Sequence, residues 1–459
     1  MKTLPANPAA FRFMMDASEA FSDVEERGMR IDLEYLDRAI DFTEKKIQEL
    51  GESLRKDDVF RIWRKKFGRS ADLGKRKQLS EVLYKEMGYE IKKRTKSGEG
   101  ATNQEAFEGI THPFVKDWVL HEQLKSLLAK NLKGTLKLVD PNGLLHPSFH
   151  FNLVTTYRSS SSDPNFHNYP NRDRRLAKII RTAFVPRSEE YLLVEADYGA
   201  LEFRGAACFW KDPEMIAYAD DDTKDIHYDM AGQSYKLERE EVTKAVRGFG
   251  KNKFVFPTLY GSYYKNTARN LWEAIQIGHL QTADGLGLYQ HLERQGIGSK
   301  EQFESHIENV ASKFEKKFSV WAKKRDEWWD DYCKYGAFPL MTGFVCRGQC
   351  SYNNLMNTPI QGPSFHLLLW SMIRVNDLLR EREMKSMVIG QIHDSISLDV
   401  HKDEFQEVMD MLEQVMTIDV REHWDWVVTR LEIEAEATST NWYEKKPFAK
   451  NESGVWVAA

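Results

Sequence analysis

Apolar residues in YLDRAIDFTEKKIQEL (35–50) recur three and four positions apart, which predicts an amphipathic helix within a helical stretch over 18–53. A second helical stretch, 104–133, follows the turn-rich KSGEGATN, so roughly the first 140 residues read as α. The pattern changes at Pro141-Asn142-Gly143, a turn signal. Beyond it HPSFHFNLV (146–154) and RTAFVP (181–186) predict strands, and YLLVEAD (191–197) is an apolar run that ends in a carboxylate, as a buried strand would. Residues 205–335 return to helical spacing, with Gly/Ser breaks at YGS (260–262) and GIGSK (296–300). A long helix is predicted over 362–383. MVIGQI, HDS and ISLDV (387–400) then read as two strands around a tight polar turn, and LEIEAEA (431–437) as another strand. Helical and β blocks alternate, so the expected class is α+β: a discontinuous sheet domain with two helical insertions.

At 459 residues the chain has length for about three domains. It is 41% hydrophobic and 29% charged, an ordinary globular composition, and no run approaches the roughly 18 apolar residues of a membrane span. The opening MKTLPANPAAFRFMMDASEAF lacks the basic start and apolar block of a secretion signal. Four cysteines are too few for a disulfide scaffold, and Cys346 and Cys350 have no second pair with which to hold zinc. They read as reduced thiols of a cytoplasmic protein. The net charge of −5 argues against a nucleic-acid partner, but the average hides three basic runs. Residues 61–80 carry eight Lys/Arg against one Asp; a second run is Lys92, Lys93, Arg94 and Lys96, and a third Arg172, Arg174, Arg175, Lys178 and Arg181. Any one reads as a solvated face; three together favour a polyanion partner.

The candidate chemistry lies at the strand ends. Asp197 ends one predicted strand and Asp394 sits between two others. Taken singly, each reads as a turn aspartate capping backbone amides. Presented from neighbouring strands, the two would form an oxygen-rich site for two Mg²⁺ ions, suited to phosphoryl transfer. In R-E-E-V-T-K-A-V-R-G-F-G-K, Arg247 and Lys251 fall four apart on one helix face. With His227 nearby, they could hold a triphosphate, Arg by its forked donors and Lys as a point charge.

Three segments resemble the sequence motifs of family A DNA polymerases, the class of bacterial DNA polymerase I. V-E-A-D-Y-G-A-L-E-F-R (194–204) resembles motif A, R-G-F-G-K-N-K-F-V-F-P-T-L-Y-G (247–261) motif B, and G-Q-I-H-D-S (390–395) motif C. R-S-S-S-S-D-P-N-F-H-N-Y-P (158–170), N-T-P-I-Q-G (357–362), E-R-G-M-R-I-D (26–32), K-R-K-Q-L-S-E-V-L (75–83) and the late Asn441-Trp442 are similar to further family segments, in the right order along nearly the whole chain. The resemblance implies a right-hand polymerase fold with an antiparallel palm sheet and helical thumb and fingers. Residues 1–32, 141–205 and 336–459 would form the palm, 33–140 the thumb and 206–335 the fingers. It implies template-directed extension of a primer 3′-OH with dNTPs, in the manner of a phage-like polymerase region, in a bacterial cell or phage-infected host. Asp197, Asp394 and the Tyr198 carbonyl would hold two Mg²⁺ ions, with Mn²⁺ as a substitute. Arg247, Lys251 and His227 would hold the triphosphate, with Lys251 protonating pyrophosphate. Phe256 and Tyr260 would pack on the new pair, and Glu202 would be the steric gate beneath the sugar 2′ position. Arg158, Asn165, Asn168, Asn357, Gln361 and His393 would contact primer–template DNA. The expected partners are primer–template DNA and dNTPs, with an exonuclease or processivity factor on a separate chain and no membrane.

Two departures from the family pattern bear on function. Motif C usually ends His-Asp-Glu, and here Ser395 follows His393-Asp394. A serine supplies no charge, so the site is expected to be less negative and to bind metal less tightly. In motif B one residue is added between Lys251 and the aromatic Phe256, and Pro257 follows, which predicts a kinked helix. Ser395 supports one rival reading, a degenerate polymerase fold that only binds nucleic acid; Glu202 argues against the other, an RNA polymerase. Asp23-Val24-Glu25 has the D-x-E spacing of proofreading exonucleases but falls in a helical, polymerase-like segment, so no exonuclease is expected in this chain.

Overall fold

The computed structural model describes residues 1–459 apart from 92, 96, 108, 109, 152, 172, 278, 279 and 393, and gives no side chains for 104, 105, 276 and 277. Lys92, Lys96, Arg172 and His393, singled out above, lie outside the described residues. The chain divides into two compact units. One comprises Met1–Met29, His146–His167 and Val185–Ala459; the other comprises Arg30–Leu145 and Asn168–Phe184.

In the first unit the elements that matter are helix α1 (Pro8–Arg27), strand β1 (Tyr191–Tyr198), and helices α2 (Leu201–Trp210), α3 (Ile226–Tyr235), α4 (Lys244–Phe249) and α5 (Tyr352–Glu381). They are followed by strands β2 (Met387–Ile392), β3 (Ser395–His401), β4 (Ile433–Thr438), β5 (Lys446–Lys450) and β6 (Trp456–Ala458). The strands form one antiparallel sheet in the order β6-β5-β4-β1-β3-β2. Period-two alternation sorts β1 into two faces. Val194, Ala196 and Tyr198 are buried in the core with Ile396, Leu398, Ala435 and α5 residues Leu368, Met372 and Val375. The Tyr198 hydroxyl meets Ser371 Oγ of α5 at 2.9 Å. Glu195 and Asp197 point to the opposite face.

Helix α5 begins ten residues before the predicted 362 and runs through Pro359 and Pro363. Each proline removes a helical hydrogen bond. The burial of Leu355, Met356 and Ile360, all at 0% exposure, offsets that loss. The helix expected over 18–53 is two helices. Gly28, with φ 62 and ψ 178, ends α1 in a conformation open only to glycine, and Asp32 caps a new helix over Leu33–Lys56. In α1, Asp23 accepts from Asn376 Nδ2 at 2.8 Å and pairs with Arg27 at 3.6 Å, and Glu25 caps the Phe149 amide at 2.5 Å. Both carboxylates of the D-x-E spacing thus carry structural bonds.

The second unit is helical. Trp63 and Trp118 centre a core with Val59, Phe60, Leu79, Leu83 and Phe114. In its long basic run Arg61, Lys66 and Lys77 pair with acids, whereas Arg64, Lys65 and Arg69 are exposed and make no ion pair among the described residues. The third basic run is not a continuous stripe. Arg181 is 8% exposed and donates through Nε to the Pro170 carbonyl at 2.8 Å. RTAFVP is not a strand: Arg181 ends the helix Arg174–Arg181, and Phe184 forms only an isolated bridge to Ile31. Ala183, in the turn after that helix, and Phe184 are buried at 0% and 3% exposure, so the apolar positions that suggested a strand fill the core without extended strand pairing. Among the described residues, all four cysteines are free thiols and no helix is long and apolar enough to cross a membrane.

Candidate active site

The sheet register places the two aspartates together. Asp197 is opposite Ser395 of β3 on one side and Glu434 of β4 on the other, and Asp394 is in the turn that enters β3. Burial first, then the neighbouring Asp394 charge, pushes the Asp197 carboxyl up to about 8. Its one described hydrogen bond is from the Tyr198 amide at 2.8 Å, and unlike Asp394 it makes no ion pair among the described residues. Two crowded carboxylates beside a main-chain carbonyl are hard oxygen donors that call for a cation. Among the described residues no three His, Cys, Asp or Glu side chains cluster as a complete metal cage. Hard carboxylate oxygens of this kind fit Mg²⁺, which keeps water and substrate oxygens in its shell.

Arg158 bridges the site. Its Nη2 donates to Asp394 Oδ1 at 2.9 Å and lies 3.7 Å from Glu202 Oε1. Glu202 is in the first turn of α2, and burial followed by the Asp394 charge raises its carboxyl above the ordinary range.

The basic helix supplies the opposite charge. Helix α4 passes into a π-helical segment, Gly250–Val255, and then a short α-turn, Phe256–Leu259. The added residue is absorbed by the wider coil, where hydrogen bonds run five residues rather than four, and Pro257, from which a kink is expected, falls in the first turn of the short α-segment that follows. Lys251 and Phe256 consequently share a face, with Nζ 5.3 Å from the ring centroid. Phe256 stacks on Tyr260 at 5.9 Å and meets the His227 ring edge-on at 5.6 Å. Arg247 is held by Asp225, which accepts from its Nε at 2.9 Å and its Nη2 at 2.8 Å. Asp225 also caps α3 through the amides of His227 and Tyr228. Burial, then the Lys251 and Arg247 charges, lowers the His227 imidazole to about 3. An anion entering between these groups would relieve that penalty.

Several polar atoms here are buried without hydrogen-bond partners among the described residues: both His227 ring nitrogens, the Tyr260 hydroxyl and Asn357 Oδ1. The Tyr260 hydroxyl lies near Gln361, one turn along α5 from Asn357, without forming a well-directed bond. Buried polar groups are normally satisfied, so this cluster marks a surface built for a polar ligand. Asn165 is exposed in the first unit, and Asn168 belongs to the second.

Residues 41–290 and 347–444 match the family model described as DNA polymerase family A. The chain belongs to DNA polymerase family A. DNA polymerase I of Bacillus subtilis is 26% identical over 429 residues, covering 92% of this chain and 44% of the relative. The DNA polymerase of Bacillus phage SP01 is 28% identical over 384 residues, covering 78% and 38%. The chain thus spans less than half the length of these family A relatives. The POL domain of Pol1 from M. smegmatis, solved in complex with DNA primer-template and dNTP, superposes with a TM-score of 0.74. It is 22% identical, and the match covers 94% of this chain and 70% of that one. The α+β fold expected from the strand and helix pattern is therefore that of a family A polymerase domain.

Sequence reasoning missed three parts of this family A site. Asp225 was legible as an N-cap before a helical stretch, but its grip on Arg247 was not. Glu195 and Lys445, a buried ion pair, are 250 residues apart with no local signal. Gly250 lets α3 approach the π-segment: a Cβ there would lie 2.7 Å from Ala231 Cβ and 2.8 Å from the His227 carbonyl oxygen, whereas one at Gly248 meets nothing within 4 Å. Gly250→Ala is expected to destabilise the protein by about 1–3 kcal/mol through overpacking. Gly248→Ala should gain up to about 1 kcal/mol from helix propensity. Urea unfolding midpoints of the two variants check the contrast.

Proposed function

We propose that the chain is a template-directed DNA polymerase that extends a primer 3′-OH with dNTPs by in-line phosphoryl transfer. The observation that carries this reading is the convergence of the Asp197–Asp394 pair, the Arg247–Lys251–His227 group and the orphaned polar atoms around Tyr260. In this reading the palm comprises 1–32, 141–205 and 336–459, the thumb 33–140 and the fingers 206–335. Asp197, Asp394 and the Tyr198 carbonyl would hold two Mg²⁺ ions, or Mn²⁺, which would supply charge neutralisation for phosphoryl transfer.

The chain's own groups do the rest. Arg247, oriented by Asp225, and His227 bind the triphosphate, and Lys251 protonates the leaving pyrophosphate. Phe256 and Tyr260 offer rings to the nascent pair. Arg158 exchanges its carboxylate partners for the minor groove, which Asn357 and Gln361 also face; His393, Asn165 and Asn168 contact the primer–template. Groove acceptors common to all correct pairs allow geometry to be checked without reading sequence. Arg64, Lys65 and Arg69 carry charge suited to the duplex backbone. The reading gives Asp23-Val24-Glu25 no proofreading role, since both carboxylates are bonded within the fold.

Primer extension with Mg²⁺ and either dNTPs or NTPs tests the proposal. Incorporation of dNTPs alone supports it; equal use of both favours an RNA polymerase, and none in the presence of tight primer–template binding favours a degenerate fold. Glu202 closes the sugar side of the site, so Glu202→Ala should relax discrimination against ribonucleotides by about 100-fold, read from the ratio of kcat/KM for dNTP and NTP.

A further inference from the structure

The face of β1 that carries Asp197 also carries Glu195, two residues back. Glu195 is directly opposite Ser397 in the register, yet the Ser397 hydroxyl has no hydrogen-bond partner among the described residues. The Glu195 carboxylate leans instead towards the Asp197 end of the strand, where Ser395 Oγ donates to its Oε1 at 2.6 Å. Its other oxygen is held by Trp442 Nε1 at 3.0 Å and by the Lys445 ammonium. Lys445 also meets Glu436 of β4 at 2.9 Å, so two carboxylates share one ammonium and the group keeps a net negative charge. Burying a carboxylate is costly unless it is fully bonded, and this one spends a bond on the residue directly across from Asp197. Ser395 is also where the motif C carboxylate of the family is missing.

We propose that Glu195 is a positioning residue for the Asp197–Asp394 pair, replacing from the neighbouring strand the charge that Ser395 lacks and fixing Ser395 beside Asp197. The carboxylate has moved across the sheet rather than been lost. This inference rests on the polymerase reading of the same site.

Mn²⁺ binding is the direct probe. Electron paramagnetic resonance of the full chain, bound to dideoxy-terminated primer–template and dNTP, reads the metal Kd without turnover. Glu195→Gln is expected to raise that Kd at least fivefold. Ser395→Ala, which removes one hydroxyl and leaves the buried ion pair in place, should raise it about threefold. The exchange E195S/S395E returns a carboxylate to β3 and should bring the Kd within twofold of wild type. Thermal unfolding identifies a variant that does not fold, and Ser395→Ala then decides alone. Unchanged Mn²⁺ affinity in Glu195→Gln or Ser395→Ala overturns the proposal, as does an exchange variant no tighter than Glu195→Ser. Wild-type protein that binds Mn²⁺ but incorporates no dNTP in Mg²⁺ would instead defeat the polymerase reading.

Discussion

Asp197→Ala and Asp394→Ala are each expected to leave less than about 1% of primer-extension activity while primer–template affinity changes less than about threefold. Losing a ligand to the reacting metals removes several kcal/mol of transition-state stabilisation, and a factor of 100 corresponds to about 2.7 kcal/mol. In the polymerase reading the duplex would be held elsewhere, by basic side chains and groove contacts, so binding should be spared. Asp394 differs from Asp197 in one respect: it is ion-paired to Arg158 at 2.9 Å. Asp394→Ala therefore also frees Arg158, whose charge then faces Glu202 alone. Single-turnover extension beside a fluorescence-anisotropy titration checks both expectations; either variant retaining more than 1% activity would remove its aspartate from the metal site.

Lys251→Ala should slow the chemical step by about 10²–10³-fold, the usual cost of deleting one preorganised group where charge develops. Its ammonium is held over Phe256 at 5.3 Å and shares the surroundings of His227 and Glu202, on the helix face that also bears Arg247. Arg247→Ala should chiefly raise the dNTP concentration required, because Asp225 already positions the guanidinium for ground-state binding. Rapid-quench measurements at varied dNTP separate the maximal rate from the half-saturating concentration. A loss of DNA affinity with unchanged dNTP dependence would move this helix out of the nucleotide site.

The parts legible in the sequence are those with a local cause. Strands β1, β2, β3 and β4 are announced by alternation or apolar runs. Strands β5 and β6 at one end of the sheet, KPFAK and WVA, are too short and too polar or exposed to show a period. The start of α5 at Tyr352 is masked by two prolines that local rules read as breakers, and tertiary burial overrides them. Counting residues in motif B located the extra one, but its accommodation depends on a close approach at Gly250 that no local rule supplies. The Asp197–Asp394 pair is legible because Asp197 ends a strand-like run and Asp394 sits in the polar turn between two others. The Glu195–Lys445–Glu436 group depends on which strands are neighbours, and topology alone supplies that.

The π-segment has a consequence for chain length. A wide coil stores one residue of slack between Lys251 and Phe256. Removing Asn252, whose side chain is exposed and among the described residues bonds only back to the Gly248 carbonyl, would let the segment rewind as ordinary α-helix. The ammonium and the aromatic ring would still face the same way, because four residues of α-coil return to nearly the same side, as five residues of the wider coil do. The surface that Lys251 and Phe256 share, proposed above to face the nucleotide, should therefore tolerate a one-residue difference in the length of its own helix. Insertions and deletions, normally ruinous in the middle of a helix, become interchangeable spellings of one surface at this position.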